Sequence, residues 1–179
     1  MAPGVEVLIL QHPMETHHPK GTARLLHLSL PGSQLLTGQV WDDAVLRAAL
    51  HALNAAGDLV QPVLLYPGDA VSSVEAADPA ELSSRSVRLR LVVMDGTWRK
   101  SRKMLHLNPQ LQALPRCALA EVAPSRYGIR KAHAAHQLST LEATCAALTQ
   151  LDGQPDKYRP LLAAMDGLVA QRLAFSRRA

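Results

Sequence analysis

The apolar positions of the chain form short continuous runs that alternate with stretches of helical spacing. Four mainly apolar runs, the first three rich in Val and Leu, have the length of buried strands, at residues 5–10, 60–66, 88–94 and 116–122. Helical spacing of apolar residues predicts four helices, at residues 42–54, 98–107, 139–151 and 157–177. We expect Gly57 to close the first helix, and Asn108 with Pro109 to end the second. Strands that alternate with helices predict an α/β domain with a largely parallel sheet.

The candidate functional residues follow the predicted strands, because ligands of parallel sheets gather at the carboxyl ends of the strands. Tyr66, Pro67 and Gly68 form a tight turn after the second strand, where Gly68 lets the backbone approach a ligand. The third strand is followed by Asp95-Gly96-Thr97-Trp98. Residues 125–130 follow the fourth strand, and residues 138–143 open the third helix.

The length and composition limit the class of protein. A chain of 179 residues, 47% of them hydrophobic, fits one domain at residues 1–179 with one core. There is no apolar window long enough for a membrane span and no signal-peptide core at the start, so we expect a soluble, cytoplasmic protein. Cys117 and Cys145 are too few for a disulfide framework or a four-thiolate zinc site. A stretch rich in Ser, Ala and acidic residues predicts a loop at residues 71–86, with a short helix at 79–84.

Basic residues are concentrated in one part of the chain. Residues 85–131 hold eleven Lys and Arg and two acidic residues, a net charge of +9, whereas the whole chain carries +4. Fourteen of the nineteen cations are Arg, whose planar guanidinium suits bidentate phosphate contacts. The segment is therefore either a binding surface for an anionic partner such as nucleic acid, or a solvated basic face.

Asp95 and Trp98 each allow two interpretations. Asp95 lies between a strand and a helix, where a carboxylate either caps the helix or acts as an acid or base, and its charged neighbours in the sequence are basic. Trp98 either packs in the core or provides a stacking surface for a base.

Other motifs are structural or absent. Ser139 and Glu142 match a capping box, so we expect Glu142 to be structural. The histidine pairs at positions 17 and 18 and at positions 133 and 136 match no known ligand pattern, so no metal is expected. The chain has no glycine-rich dinucleotide loop, no P-loop and no hydrolase motif.

Five segments in order resemble the DTW-domain family, which is named for the Asp, Thr and Trp of Asp95-Gly96-Thr97-Trp98. Before this motif come His12-Pro13-Met14-Glu15 with Gly21-Thr22-Ala23-Arg24-Leu25, and then Tyr66-Pro67-Gly68. After it come Ser125-x-Tyr127-x-Ile129-Arg130 and Leu138-Ser139-Thr140-x-Glu142-Ala143. Each segment alone is weakly specific, but the ordered set covers nearly the whole chain.

The resemblance implies a tRNA-uridine aminocarboxypropyltransferase, an enzyme that moves the 3-amino-3-carboxypropyl group of S-adenosylmethionine (SAM) to N3 of a uridine. It also implies kinship with the SPOUT group, whose α/β fold has a C-terminal trefoil knot that periodicity cannot suggest. Many members carry a cysteine cluster before the segment that begins here at Val5, and this sequence has none there. This chain is then either a short variant, or the cluster is accessory.

The resemblance also assigns roles to the candidate residues. Asp95 would accept the N3 proton or orient the nucleotide. SAM would bind residues of three motifs, Tyr66, Pro67, Gly68, Gly96, Thr97, Trp98, Leu138, Ser139 and Thr140. The phosphates of tRNA would contact basic residues, Arg99, Lys100, Arg102, Lys103, Arg126 and Arg130, and one of the last two could instead hold the SAM carboxylate. Two alternatives stay open: a SAM-dependent RNA methyltransferase of SPOUT type, and a noncatalytic RNA-binding module in which Asp95 only caps a helix.

Overall fold

The computed structural model describes residues 5–18, 21–54, 56–67, 76–77, 88–119, 138–154 and 156–176. The strands are β1 (Glu6–Gln11), β2 (Gln34–Thr37), β3 (Val60–Leu65), β4 (Ala76–Ala77), β5 (Arg88–Asp95) and β6 (Arg116–Cys117). The helices are α1 (Ala23–Ser29), α2 (Asp43–His51), α3 (Trp98–Leu107), α4 (Pro109–Gln112), α5 (Thr140–Asp152) and α6 (Arg159–Ser176). A short 3-10 helix covers Pro13–Glu15.

Within the described residues the sheet contains six strands in the order β2-β1-β5-β3-β6-β4, and the pairings between them are parallel. The inner strand β5 is buried along its length except for its first residue. Its register with β1 pairs Gln11 with Asp95, so the last residues of these two strands lie side by side. The prediction of an α/β domain with a parallel sheet is confirmed, and the carboxyl ends of the strands share one edge.

Helices cover both faces of the sheet because successive side chains of a strand point to opposite faces. On one face, Val7 and Ile9 of β1 pack with residues of α1, α5 and α6. On the other face, Leu8 and Leu10 pack with residues of α2, α3 and α4. The near-continuous apolar strands are therefore buried between two layers of helices, as is usual for a parallel sheet.

Several predicted elements are confirmed to within one or two residues. Helix α3 has the predicted bounds, β5 extends the predicted strand by one residue, and β1 is shifted by one residue. Helix α5 begins after the cap Ser139, and α6 begins at Arg159 rather than at residue 157.

The end of α2 differs from the prediction. The helix ends at His51 instead of Asn54, and Gly57 does not close it. The cause is the Asn54 side chain, whose Oδ1 accepts hydrogen bonds from the backbone N–H groups of Ala56 and Asp58 and so competes with the helix. Gly57, with φ of +84°, serves this separate turn, in which its N–H donates to the Asn54 carbonyl.

The sequence did not predict α1, β2, α4 or the 3-10 helix, and β4 falls inside the predicted loop at 71–86. The remainder of that loop, its helix at 79–84, the last residues of the fourth predicted strand and residue 177 lie outside the described residues. The trefoil knot depends on the path of residues 120–137, which also lie outside them. Among the helices of the described ranges, none combines the length and apolarity needed to cross a membrane.

Candidate active site

Two cavities lined by described residues lie side by side at the carboxyl edge of the sheet. The aromatic cleft has a volume of about 550 Å³, and residues that line only this cleft include Tyr66, Pro67, Trp98, Arg99 and Leu138. The polar cavity has a volume of about 340 Å³, and residues that line only this cavity are Glu15, His18, Gly21, Thr22, Asp95 and Lys100. Both are lined by Gly96, Thr97, Ser139 and Thr140, which form a shared wall.

The structure brings most of the predicted site residues to these cavities. The aromatic cleft is lined by eight of the nine residues predicted to bind SAM, Tyr66, Pro67, Gly96, Thr97, Trp98, Leu138, Ser139 and Thr140. Asp95 lines the adjoining polar cavity. Gly68, Arg126 and Arg130 lie outside the described residues.

The Asp95 carboxylate is buried and held through both of its oxygens. The Gln11 amide Nε2 donates to Oδ2 at 3.0 Å, and the Thr140 hydroxyl donates to Oδ1 at 2.6 Å. Asp95 is 5% exposed. Its orientation is therefore fixed from two sides, by the neighbouring strand β1 and by the first residue of α5.

The interpretation of Asp95 as a helix cap is wrong. The cap of α3 is Thr97, whose hydroxyl oxygen accepts a hydrogen bond from the Lys100 backbone N–H at 3.4 Å. Asp95 still belongs to β5, where its carbonyl accepts from the His12 backbone N–H at 2.9 Å. Its side chain therefore does not cap α3 and instead lines the polar cavity.

Gly96 makes the tight passage from β5 to α3 possible. A Cβ atom at this position would lie 3.2 Å from the Lys100 Cβ and 3.6 Å from the His12 Cβ. The first distance is closer than ordinary van der Waals contact, so a larger residue would push α3 or the segment after β1 away. Glycine therefore keeps Asp95, His12 and Lys100 close together.

Trp98 stacks on Tyr66 at the side of the aromatic cleft. The ring centroids are 5.2 Å apart and the rings are tilted by 11°. Tyr66 is 4% exposed, whereas Trp98 is 48% exposed, so the interpretation of Trp98 as a core residue is wrong. A half-exposed ring supported by a buried ring provides a flat surface on which a base can stack.

Ser139 and Glu142 form the predicted capping box at the start of α5. The Glu142 backbone N–H donates to the Ser139 Oγ at 3.2 Å, and the Ser139 backbone N–H donates to the Glu142 carboxylate at 2.8 Å. In addition, the Leu141 N–H donates to the Thr22 hydroxyl oxygen at 3.3 Å. These bonds fix the wall that carries Thr140, and they confirm the structural role of Glu142.

Two arginines in the described part of the basic segment are buried and do not belong to a surface. Arg90 is buried, and it pairs with Glu6 at 2.5 Å and donates to the carbonyls of Ala49 and Leu50 at the end of α2. Arg116 is also buried, and its guanidinium lies 5.1 Å from the centre of the Tyr66 ring. These two cations therefore lie in the interior and are not part of a basic surface.

The four cations of α3 that were predicted to bind RNA divide into two groups. Arg99, Arg102 and Lys103 are exposed, and Arg99 also lines the aromatic cleft. Lys100 instead turns into the polar cavity, where its Nζ lies 2.7 Å from the Glu15 carboxylate.

Sequence reasoning assigned no role to Gln11, Glu15 or Thr22, although all three are placed next to Asp95 or in the polar cavity. Gln11 directly follows the first predicted strand, so the tendency of ligands to gather at the carboxyl ends of strands is the signal that points to it. No group of three His, Cys, Asp or Glu side chains arranged to hold a metal occurs in the described ranges, and the histidines at 133 and 136 are not among them.

Comparison with known proteins agrees with the resemblance drawn from the motifs. The family model described as DTW domain matches residues 2–173, and the chain therefore belongs to the DTW domain family. It is 29% identical over 170 residues to tRNA-uridine aminocarboxypropyltransferase 2 of Drosophila melanogaster. The match covers 94% of this chain and 64% of that protein's length. No solved structure matches the chain.

Proposed function

We propose that this chain is a tRNA-uridine aminocarboxypropyltransferase that uses SAM as the donor and modifies N3 of the uridine. The observation that carries the proposal is the Asp95 carboxylate, held by Gln11 and Thr140 beside the shared wall of the two cavities in a member of the DTW domain family. The name of the Drosophila melanogaster relative supports the same activity.

The aromatic cleft suits the adenosyl part of SAM. The exposed face of Trp98 offers a stacking surface for adenine, and Leu65, Pro67 and Met94 supply apolar contacts. A volume of about 550 Å³ lies within the range of small-molecule sites. Methylthioadenosine, the product that keeps the adenosyl part, would occupy the same cleft.

The chain contributes positioning and a proton acceptor to the reaction. Bound SAM supplies a γ carbon attached to a sulfonium, so the N3–C bond forms as the C–S bond breaks and the electron pair stays on the sulfur of methylthioadenosine. Asp95 accepts the N3 proton of the uridine and later releases it to solvent. Gln11 and Thr140 hold the carboxylate in one orientation for that transfer.

The exposed cations of α3 are proposed to contact the tRNA backbone. Arg99, Arg102 and Lys103 lie on the helix that starts at the shared wall, so phosphates bound there would flank a uridine that enters the site. The SPOUT kinship and the trefoil knot stay predictions of the resemblance, and the cytoplasmic location stays a prediction from the hydropathy of the sequence.

The test is a transfer assay with an unmodified tRNA transcript and SAM labelled either in its methyl group or in its carboxypropyl chain. We expect only the carboxypropyl label in the tRNA, together with one methylthioadenosine per modified uridine. Addition of a chelator should leave the rate unchanged, because no metal takes part in the proposed reaction. Methyl label in the tRNA would instead indicate a methyltransferase, and tRNA binding without transfer would indicate a noncatalytic module.

A further inference from the structure

We infer that the polar cavity binds the amino-acid end of SAM, with Glu15 receiving the α-ammonium group and Lys100 the α-carboxylate. The inference rests on the proposed function and extends it to the transferred group. It assigns a role to two residues that lie 85 positions apart in the sequence.

The first observation is the ion pair inside the polar cavity. The Lys100 Nζ lies 2.7 Å from the Glu15 Oε1, and the two side chains are 24% and 8% exposed. A buried carboxylate needs a cationic partner, because an unpaired buried charge is strongly destabilising. An amino-acid zwitterion carries one ammonium and one carboxylate on the same carbon, so it can enter between the two side chains and give each a new partner of the correct sign.

The second observation is the wall shared by the two cavities. Four residues line both cavities, so with adenosine in the aromatic cleft the amino-acid end of the donor would lie next to the polar cavity, beside Gly96 and Thr140. Asp95 lines that cavity, and its carboxylate accepts no cap hydrogen bond from α3, whose cap is Thr97. In the inferred placement, the γ carbon of the donor lies where the two cavities adjoin and faces Asp95, whereas the methyl group does not.

This placement gives a physical reason for the choice of group that is transferred. All three carbons on a sulfonium are electrophilic, so selectivity comes from which one faces the nucleophile. A pocket that holds the amino-acid end beside Asp95 orients the aminocarboxypropyl chain toward the uridine.

The test compares ligands that contain or lack the amino-acid end. Calorimetry would measure the affinities of S-adenosylhomocysteine, which keeps the zwitterion, and of methylthioadenosine, which lacks it, for the wild type and for Lys100→Met and Glu15→Gln. We expect each substitution to weaken S-adenosylhomocysteine binding by about 10- to 100-fold, as for a lost hydrogen bond to a charged group. Affinity for methylthioadenosine should stay within about twofold.

Lys157→Met is the matched control. Lys157 pairs with Asp152 at 2.6 Å and the two side chains are similarly buried, but neither residue lines the two cavities. This variant loses a comparable ion pair and should bind both ligands as the wild type does. Thermal melts of all variants would show that each is folded at the temperature of the titration.

The double variant Glu15→Lys/Lys100→Glu distinguishes a role of the ion pair in ligand binding from a role in the stability of the fold. This variant restores an ion pair of reversed polarity. If the pair only stabilised the fold, the double variant would recover both the melting temperature and the S-adenosylhomocysteine affinity. We expect instead that S-adenosylhomocysteine binding remains weak. An equal loss of affinity for both ligands, unchanged S-adenosylhomocysteine binding in the single variants, or rescue by the double variant would overturn the inference. If the wild type bound neither ligand, the proposed function itself would be wrong.

Discussion

Gln11 and Asp95 are register partners at the ends of adjacent parallel strands, and the Gln11 side chain donates to the Asp95 carboxylate at 3.0 Å. The position of the carboxylate is therefore set by the sheet and not by a loop. Side chains placed on regular elements are held more accurately than side chains on loops. For a proton acceptor this accuracy matters, because transfer requires the acceptor within hydrogen-bond reach of the proton.

Replacement of Asp95 by Asn should show whether the carboxylate acts in the reaction or only supports the fold. Asn has nearly the same shape, and both Gln11 and Thr140 can donate or accept, so the melting temperature should change little. Asn cannot accept the N3 proton as a carboxylate does, so transfer should fall by roughly 10² to 10⁴. Single-turnover transfer at saturating tRNA and SAM would measure this loss. A near wild-type rate in a normally folded variant would remove Asp95 from the chemistry.

Replacement of Trp98 by Ala should weaken ligand binding more than it weakens the fold. Trp98 is 48% exposed, so removal of its side chain costs little of the buried core. Loss of a stacked base costs about 1–3 kcal/mol, so methylthioadenosine affinity should fall by roughly 5- to 150-fold. Trp98→Phe, which keeps a ring stacked on Tyr66, should lose less affinity for methylthioadenosine than Trp98→Ala does. Calorimetry that gave equal affinities for wild type and Trp98→Ala would exclude stacking in the aromatic cleft.

The salt dependence of tRNA binding should identify which cations contact phosphates. Each lost contact should reduce the slope of log affinity against log salt by roughly 0.7 to 0.9. We expect that reduction for Arg99→Ala, Arg102→Ala and Lys103→Ala, but not for Lys100→Met, because Lys100 is paired with Glu15. Arg159→Ala, on α6 at the other face of the sheet, is the control. Unchanged slopes in all three α3 variants would show that this helix faces away from the RNA.

The stability of the fold should decrease at alkaline pH. Burial, with a smaller contribution from Glu142, raises the pKa of the Cys145 thiol from its ordinary 9.0 to about 12. Burial, a hydrogen bond to Asp152 and the charge of Asp152 raise the pKa of Tyr158 above its ordinary 10.0. Both groups stay protonated in the folded state while the unfolded chain loses their protons. Their stabilising contribution is therefore complete below pH 9 and decreases as the pH rises.

Urea unfolding at a series of pH values would measure this decrease. Each group should lower the free energy of unfolding by about 1.4 kcal/mol per pH unit above its ordinary pKa. Tyr158→Phe removes the phenol, so its curve should be shallower than that of the wild type above pH 10. If the free energy of unfolding fell equally with pH in the wild type and in Tyr158→Phe, a raised pKa of Tyr158 would not be a cause of the alkaline loss of stability.

The parts of the fold that the sequence predicted well depend on neighbouring residues. The bounds of α3 follow from the cap at Thr97 and from Asn108 and Pro109 at its end, and α5 follows from its capping box. The error at α2 has a local cause too, because an Asn side chain that binds the backbone is harder to anticipate than a glycine. Helix α1 has seven residues and β2 has four, so each is too short for a periodic signal.

The candidate site could be predicted only in part, because its contacts are not local. Asp95 and the segment around Trp98 were recognisable from the motif and from their place after a strand. The hydrogen-bond partners of Asp95 could not be recognised from the sequence, because Gln11 is 84 positions away and Thr140 is 45 positions away. Likewise, the pairing of Lys100 with Glu15 divides a basic run that looks uniform in the sequence.

The parallel direction of the strands also determines where the molecule can be labelled. The turn formed by Asn54, Ala56, Gly57 and Asp58 comes before β3, so it lies at the amino edge of the sheet, opposite the two cavities. Its residues are mostly exposed and the side chains of Asn54 and Asp58 bond to each other, so the turn is closed by its own contacts. A fluorophore attached at Leu59, which is 76% exposed, would therefore report tRNA binding by polarisation without obstructing the opening of either cavity.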